Sequence, residues 1–241
     1  MTLLYLILLG ITVLPVNEVY FTDSEGKSHV IETIPAPFNF SNMQPQQMPG
    51  WPKNMGVNPN YAPSGVSLAD INGDGNLEII AGSTDNNIYV WDYQGNFLPG
   101  WPVTLSAMIQ AKVAIGDIDN NGDKEIIVAA RNGYVYAFDH DGTSFPGWPQ
   151  NANGVIGLVA PTLFDLDRNG DLEVIMPQMQ SGQPGHVYIW HHNGQLYTGW
   201  PQNTDYLAVA TASVADIDND NIFEIVALSY RSVYVWEGPE W

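Results

Sequence analysis

The chain has 241 residues, with 26 acidic side chains against 7 lysines and arginines and a formal net charge of −19. That sign excludes a protein that tracks a nucleic-acid backbone, which needs Lys and Arg to neutralise its phosphates. Zero cysteines exclude disulfides and thiolate chemistry, and 45% hydrophobic with 12% aromatic residues supply a core that an acidic disordered chain would lack.

From the N-terminus, Leu3 to Leu14 is an apolar stretch of 12 residues broken only by Gly10 and Thr12. It is too short for a span of about 20 residues and fits the apolar segment of an export signal. Residues 1–15 are therefore expected to be a signal peptide, with no membrane span after its removal and a secreted or cell-surface product. Within residues 16–46, Val19-Tyr20-Phe21 and Val30-Ile31 flank Asp23-Ser24-Glu25-Gly26, the pattern of a hairpin. Pro35 to Pro49 then reads as a linker rich in Pro, Gln and Asn.

From residue 47 to 241 one unit recurs four times. Gly-Trp-Pro begins at Gly50, Gly100, Gly147 and Gly199, spaced by 50, 47 and 52 residues. In the same phase an acidic nonapeptide begins at Asp70, Asp117, Asp165 and Asp216. An aromatic run follows each: Ile88-Tyr89-Val90-Trp91, Val135-Tyr136-Ala137-Phe138, Val187-Tyr188-Ile189-Trp190 and Val233-Tyr234-Val235-Trp236. One period parses into four strands, A to D, at Val66 to Asp70, Leu77 to Gly82, Asn87 to Tyr93 and Phe97 to Pro102, separated by Asp-, Asn- and Gly-rich turns. Consecutive apolar positions in strand C require both faces of the sheet to be covered. A four-stranded antiparallel sheet repeated about every 48 residues is the signature of a propeller blade, so the fold class is an all-β propeller with four blades in this chain. Strand A carries small residues at alternate positions, Ser67/Ala69, Ala114/Gly116 and Ser213/Ala215, as expected near a crowded axis, whereas Thr162/Phe164 does not. Two readings of the ends stay open: closure by a strand at 47–53 pairing with the last blade, or four blades of a larger ring.

The nonapeptides place oxygen-bearing side chains at positions 1, 3, 5 and 9. They contain Asp70, Asn72, Asp74, Asn76 and Glu78; Asp117, Asp119, Asn121, Asp123 and Glu125; Asp165, Asp167, Asn169, Asp171 and Glu173; and Asp216, Asp218, Asp220, Ile222 and Glu224. Alternate oxygens in a tight loop suit Ca²⁺, which takes six to eight oxygen ligands, with position 7 able to add its backbone carbonyl. Position 6 must turn sharply with positive φ, which explains Gly75, Gly122 and Gly170, and Asn221 is the usual substitute. About four Ca²⁺, one per blade, are expected.

The run Val66-Ser67-Leu68-Ala69-Asp70 through Glu78-Ile79-Ile80-Ala81-Gly82 to Trp91 resembles the FG-GAP/VCBS repeats of integrin-α-like β-propellers. The resemblance covers residues 47 to 241. It implies calcium between strands A and B of each blade, held by the residues at positions 1, 3, 5, 7 and 9, and an extracellular role in adhesion or recognition. The Gly-Ala-Pro that follows strand B in the family is replaced here by Ala81-Gly82-Ser83.

His191-His192 breaks the repeat where the other blades have Asp92, Asp139 and Glu237, and it reads as a solvated turn with no acid beside it, as does His140 before Asp141-Gly142. No nucleophile triad, phosphate loop or dinucleotide motif is present. The expected function is a non-enzymatic binding or adhesion module with a protein or glycan ligand. The alternatives are a carbohydrate-active enzyme or its accessory propeller, and a self-associating surface structural protein.

Overall fold

A computed structural model describes residues 18–22, 28–33, 45–56, 58, 60–61, 65–154, 156, 158–179 and 184–238. The segment assigned to a signal peptide lies outside them. Among the described residues no helix is long and apolar enough to cross a membrane. The chain divides into two units, 1–47 and 48–241. In the first, β1 (Glu18–Thr22) pairs antiparallel with β2 (Ser28–Thr33), as the hairpin pattern predicts.

The second unit is a series of antiparallel sheets, each an up-and-down meander, which we number as blades one to four. Blade one is β3 (Val66–Ala69), β4 (Glu78–Gly82), β5 (Asn87–Trp91) and β6 (Val103–Thr104). Blade two is β7 (Ala114–Gly116), β8 (Glu125–Ala129), β9 (Tyr134–Phe138) and β10 (Gln150–Asn151). Blade three is β11 (Thr162–Phe164), β12 (Glu173–Gln178), β13 (His186–Trp190) and β14 (Gln202–Asn203). In blade four the described strands are β15 (Ser213–Ala215), β16 (Glu224–Leu228) and β17 (Val233–Glu237).

Strand D differs from its expected form. It is split into a bridge, Trp91 with Phe97 in blade one, and a two-residue strand, Val103–Thr104, that pairs with Asn87 and Ile88. Gly-Trp-Pro occupies the turn between them, and all four Trp-Pro bonds are cis. The turn carries the Trp outward onto the next blade. Trp101 meets Phe138 edge-on at 6.1 Å and donates Nε1–H to the His140 carbonyl at 2.9 Å. Trp148 repeats this with Trp190 and the His192 carbonyl, and Trp51 with Trp91 and the Tyr93 carbonyl. Glycine is needed at the head of the turn, because a Cβ at Gly100 or Gly147 would collide with the backbone of Asp141 or Asn193 in the following blade.

The cores lie between blades, not within them. Ile80, Ile88 and Val90 of blade one pack on Val113, Ile126 and Val128 of blade two, and the same positions recur at the next two boundaries. Strand A adds a hydrogen bond across two of them: Ser67 Oγ donates to the Val113 carbonyl at 2.8 Å and Thr162 Oγ1 to the Ala212 carbonyl at 2.7 Å. Phe164 departs from the small-residue pattern because position 8 of the next loop departs with it. Phe223 stands edge-on to Phe164 at 4.8 Å. At the equivalent place in the preceding boundary, the bare Gly116 faces Leu163 and Leu172 side chains.

Residues 47–53 form no strand with the last blade, contrary to the closure reading. Trp51 and Met55 pack instead on Ala81, Tyr89 and Trp91 of blade one. Both outer faces are open: Val66 is 51% exposed where Val113 is 4%, and Val233 is 65% exposed where Ile88, Val135 and Val187 are 0%.

Candidate metal centres

Each A–B loop folds around its own carboxylates. The Asp at position 1 accepts the N–H of position 6 in all four loops: Gly75 to Asp70, Gly122 to Asp117, Gly170 to Asp165 and Asn221 to Asp216, at 2.8–3.1 Å. The side chain at position 5 accepts the N–H of position 7 at 2.7–2.8 Å, from Asp74, Asn121, Asn169 and Asp220 to Asn76, Asp123, Asp171 and Ile222. Position 6 is left-handed throughout, with φ of 88° at Gly75 and 71° at Asn221. Position 4 is left-handed too, at Gly73, Asn120, Arg168 and Asn219, a second turn that the sequence pattern did not disclose. Arg168 is the unusual occupant. Its guanidinium bonds the Asn221 carbonyl at 2.9 Å and lies 4.6 Å from the Phe223 ring centre, contacts that hold the strained backbone in place.

The Glu at position 9 opens strand B and points back into the loop. One oxygen, Oε2, accepts the N–H of position 2: Ile71 to Glu78, Ile118 to Glu125, Leu166 to Glu173 and Ile217 to Glu224, at 2.7–2.9 Å. These four glutamates are 0–4% exposed. The second oxygen, Oε1, has no hydrogen-bond partner in Glu78, Glu125 and Glu224. Among the described residues no Lys or Arg forms an ion pair with any loop carboxylate.

An uncompensated buried carboxylate resists ionisation. Burial, opposed by the Ile118 N–H and reinforced by Asp119 and Asp117, raises Glu125 to about 7. Burial with the neighbouring Asp167, Asp171 and Asp165 raises Glu173 to about 8. Glu78 is raised for the same first reason, desolvation.

Ligand atoms of Asp117, Asp119 and Glu125 come within 4.8 Å of one another, as do those of Asp216, Asp218 and Glu224. Positions 1, 3 and 9 therefore converge in loops two and four. Loop one has Asn72 at position 3 beside Asp70 and Glu78. In loop three, Asp167 and Glu173 converge with His191. This corrects the solvated-turn reading of that histidine. His191 Nδ1 lies 3.2 Å from Glu173 Oε1, and its ring packs 4.5 Å from Tyr197. His192 Nδ1 is 2.8 Å from Asp171 Oδ2. The antiparallel meander brings the C–D turn to the same end of the sheet as the A–B loop, so the residue after strand C faces the metal loop. The sequence signal was the acid at this position in the other blades, Asp92, Asp139 and Glu237. His140 keeps its reading as a turn residue.

The donors fit a hard divalent cation: carboxylates, amide oxygens and a buried oxygen facing the loop without a proton donor. Held there, Ca²⁺ would supply the positive charge that these carboxylates lack and tie the start of strand B to the end of strand A.

The FG-GAP-like repeat matches residues 70–128 and 117–176, two successive units that each run from one acidic loop through the next. No curated protein matches the sequence. Among solved structures, BBS1N in complex with ARL6DN is 13% identical with a TM-score of 0.51, covering 73% of this chain and 50% of that one. BamB from Moraxella catarrhalis is 18% identical with a TM-score of 0.46, over 73% and 47%. The PilY1 C-terminal domain of Pseudomonas aeruginosa is 15% identical with a TM-score of 0.48, over 67% and 38%. This chain thus spans half or less of the length of these three structures. BBS1N shares the propeller fold. With the repeat matched in its loops and strands and the blades in this arrangement, the chain carries FG-GAP-like repeats over residues 70–176 and has a β-propeller fold.

Proposed function

We propose that the protein is an exported, calcium-stabilised binding module without enzymatic activity, in which each A–B loop holds one Ca²⁺, about four in all. The observation that carries this reading is the position-9 glutamate. In three blades a buried carboxylate oxygen faces an acidic loop with no donor to satisfy it, a costly arrangement unless a cation takes the place. Side chains at positions 1, 3, 5 and 9 and the carbonyl at position 7 would hold the ion. The carboxylates are then committed to metal, which leaves them unsuited to acid–base work on a sugar. The ligand is a protein or glycan bound on the loop-bearing surfaces. BBS1N, of the same fold, is bound to the protein ARL6DN, and that precedent favours a protein ligand. Export rests on the apolar N-terminal stretch.

Equilibrium dialysis with calcium counted by atomic emission tests the metal reading, together with thermal unfolding in EDTA and in millimolar Ca²⁺. About four ions per chain and a strong rise in melting temperature are expected; each site adds about 2.7 kcal/mol at a hundredfold excess over Kd. Less than one ion bound, with unchanged melting, would refute it. Export predicts a mature N-terminus near residue 16 in the extracytoplasmic fraction.

A further inference from the structure

The residue after strand C sets blade three apart. Blade one has Asp92 there, blade two Asp139 and blade four Glu237, whereas blade three has His191. In blades one and two that carboxylate serves its own C–D turn. Asp92 accepts the backbone N–H and the side-chain amide of Asn96, and Asp139 accepts the Thr143 hydroxyl. In blade three the backbone part of this turn is kept, the His191 N–H donating to the Gln195 carbonyl at 2.9 Å. The ring, however, faces the A–B loop, with Nδ1 3.2 Å from Glu173 Oε1.

The donors that meet in the loop change with it. In loops two and four the converging ligand atoms belong to positions 1, 3 and 9, all carboxylates; in loop three they belong to Asp167 at position 3, Glu173 at position 9 and His191. Glu173 is 0% exposed; its Oε2 accepts the Leu166 N–H, which leaves Oε1 to face the imidazole. The imidazole is held in place. Its ring centre lies 4.5 Å from that of Tyr197, and Trp148 Nε1–H of blade two bonds the carbonyl of the adjacent His192 at 2.7 Å. Close by, the buried Oδ1 of Asp171 has no hydrogen-bond partner. The His191 side chain is 29% exposed, so an ion can reach it from solvent. His186, by contrast, lies at the opposite end of strand C, where its Nδ1 is 3.0 Å from Gln178 Oε1.

We propose that loop three, alone among the four, is selective for a borderline divalent cation of the zinc class, with the His191 imidazole as a ligand beside Asp167 and Glu173. This rests on the reading of the A–B loops as cation sites and names a different ion for one of them. Ca²⁺ takes oxygen donors, so an imidazole nitrogen among three converging groups contributes little to it. Zn²⁺ is bound by imidazole nitrogen and carboxylate oxygen alike and needs fewer donors. The ring binds as the neutral imidazole through Nδ1, with its one proton on Nε2. The cation then stands where a proton would otherwise bridge Nδ1 and Oε1. Offered calcium alone, loop three holds it through its oxygens like the other loops; offered zinc as well, it exchanges.

Dialysis of the full chain against millimolar Ca²⁺, with and without micromolar Zn²⁺, tests this when both metals are counted by atomic emission. One zinc ion per chain is expected to replace one calcium ion. His191→Asp restores the carboxylate of the other blades. It should weaken zinc binding at least about tenfold, the loss that even an outer partner of a metal ligand can bring, and leave the calcium count in zinc-free buffer unchanged. Circular dichroism checks that the variant is folded. In the wild-type chain, nitrogen NMR of the histidine rings should show zinc moving the Nδ1 signal of His191 and not that of His140. Zinc bound at this site with no calcium at the others would refute the calcium reading and leave the present inference standing. Calcium bound without zinc would overturn it and make His191 and Glu173 a hydrogen-bonded pair only. Zinc that His191→Asp retains, or that leaves the His191 ring signals unmoved, would place the ion elsewhere and overturn it too. Zinc that displaces calcium from every loop alike would overturn the selectivity.

Discussion

At the scale of single residues the position-9 glutamate decides how the loops respond to pH and metal. Glu125 and Glu173 are held up at about 7 and about 8 by burial among like charges, above the ordinary carboxylate value near 4.5. The folded metal-free chain therefore binds protons more tightly than the unfolded chain across that window, and its stability falls as pH rises from about 4.5 to about 8. Thermal melts in EDTA from pH 5 to 8 should show this decline, and saturating Ca²⁺ should flatten it; a metal-free profile that rises across this range would contradict the assigned environment. The same residue gives a second, oppositely signed expectation. Glu125→Gln keeps the acceptor for the Ile118 N–H and removes the buried charge, so in EDTA at pH 8 it should melt about 2–4 °C higher, near 1 kcal/mol for a domain of this size. In calcium it should bind one ion fewer and melt lower than wild type.

At the scale of the element, the Gly-Trp-Pro turn pins each blade to its successor. Trp101 is 6% exposed, makes an edge-on contact with Phe138 and bonds the His140 carbonyl. Trp101→Ala should cost about 3–5 kcal/mol by cavity formation. Trp51, half-buried on the open blade, should cost less when truncated, and equal losses in urea titrations would contradict a boundary role. The repeat made most of this architecture readable: strands A to C, the hairpin and the loop residues at positions 1, 5, 6 and 9 follow from local alternation and turn chemistry. What escaped depends on contacts between blades. Phe164 looks anomalous alone and is explained only by Phe223, 59 residues later. Strand D breaks at its Gly-Trp-Pro because the Trp must reach the next blade. His191 looked solvated because the acid it meets, Glu173, lies across the sheet on strand B.

At the scale of the whole propeller unit, the acidity has a place. Every A–B loop, and in blades one to three the C–D turn, lies at the same end of its sheet, and neighbouring loops touch: Lys124 Nζ bonds the Asp70 carbonyl at 2.9 Å and Arg168 reaches Asn221. Fifteen of the 26 acidic residues fall in the four nonapeptides. The charge is thus concentrated in the loops that calcium is proposed to fill, and four bound ions would take the formal charge from −19 to −11. Repulsion of this kind is screened over a Debye length of about 10 Å at 0.1 M salt, a distance comparable with the reach of a loop to its neighbour. Raising NaCl from about 0.01 M to about 0.5 M should therefore raise the melting temperature strongly in EDTA and only weakly in saturating Ca²⁺. Equal salt slopes with and without calcium would mean that the repulsion resides elsewhere on the surface. A steeper slope in calcium would mean that the ion does not neutralise the loops at all.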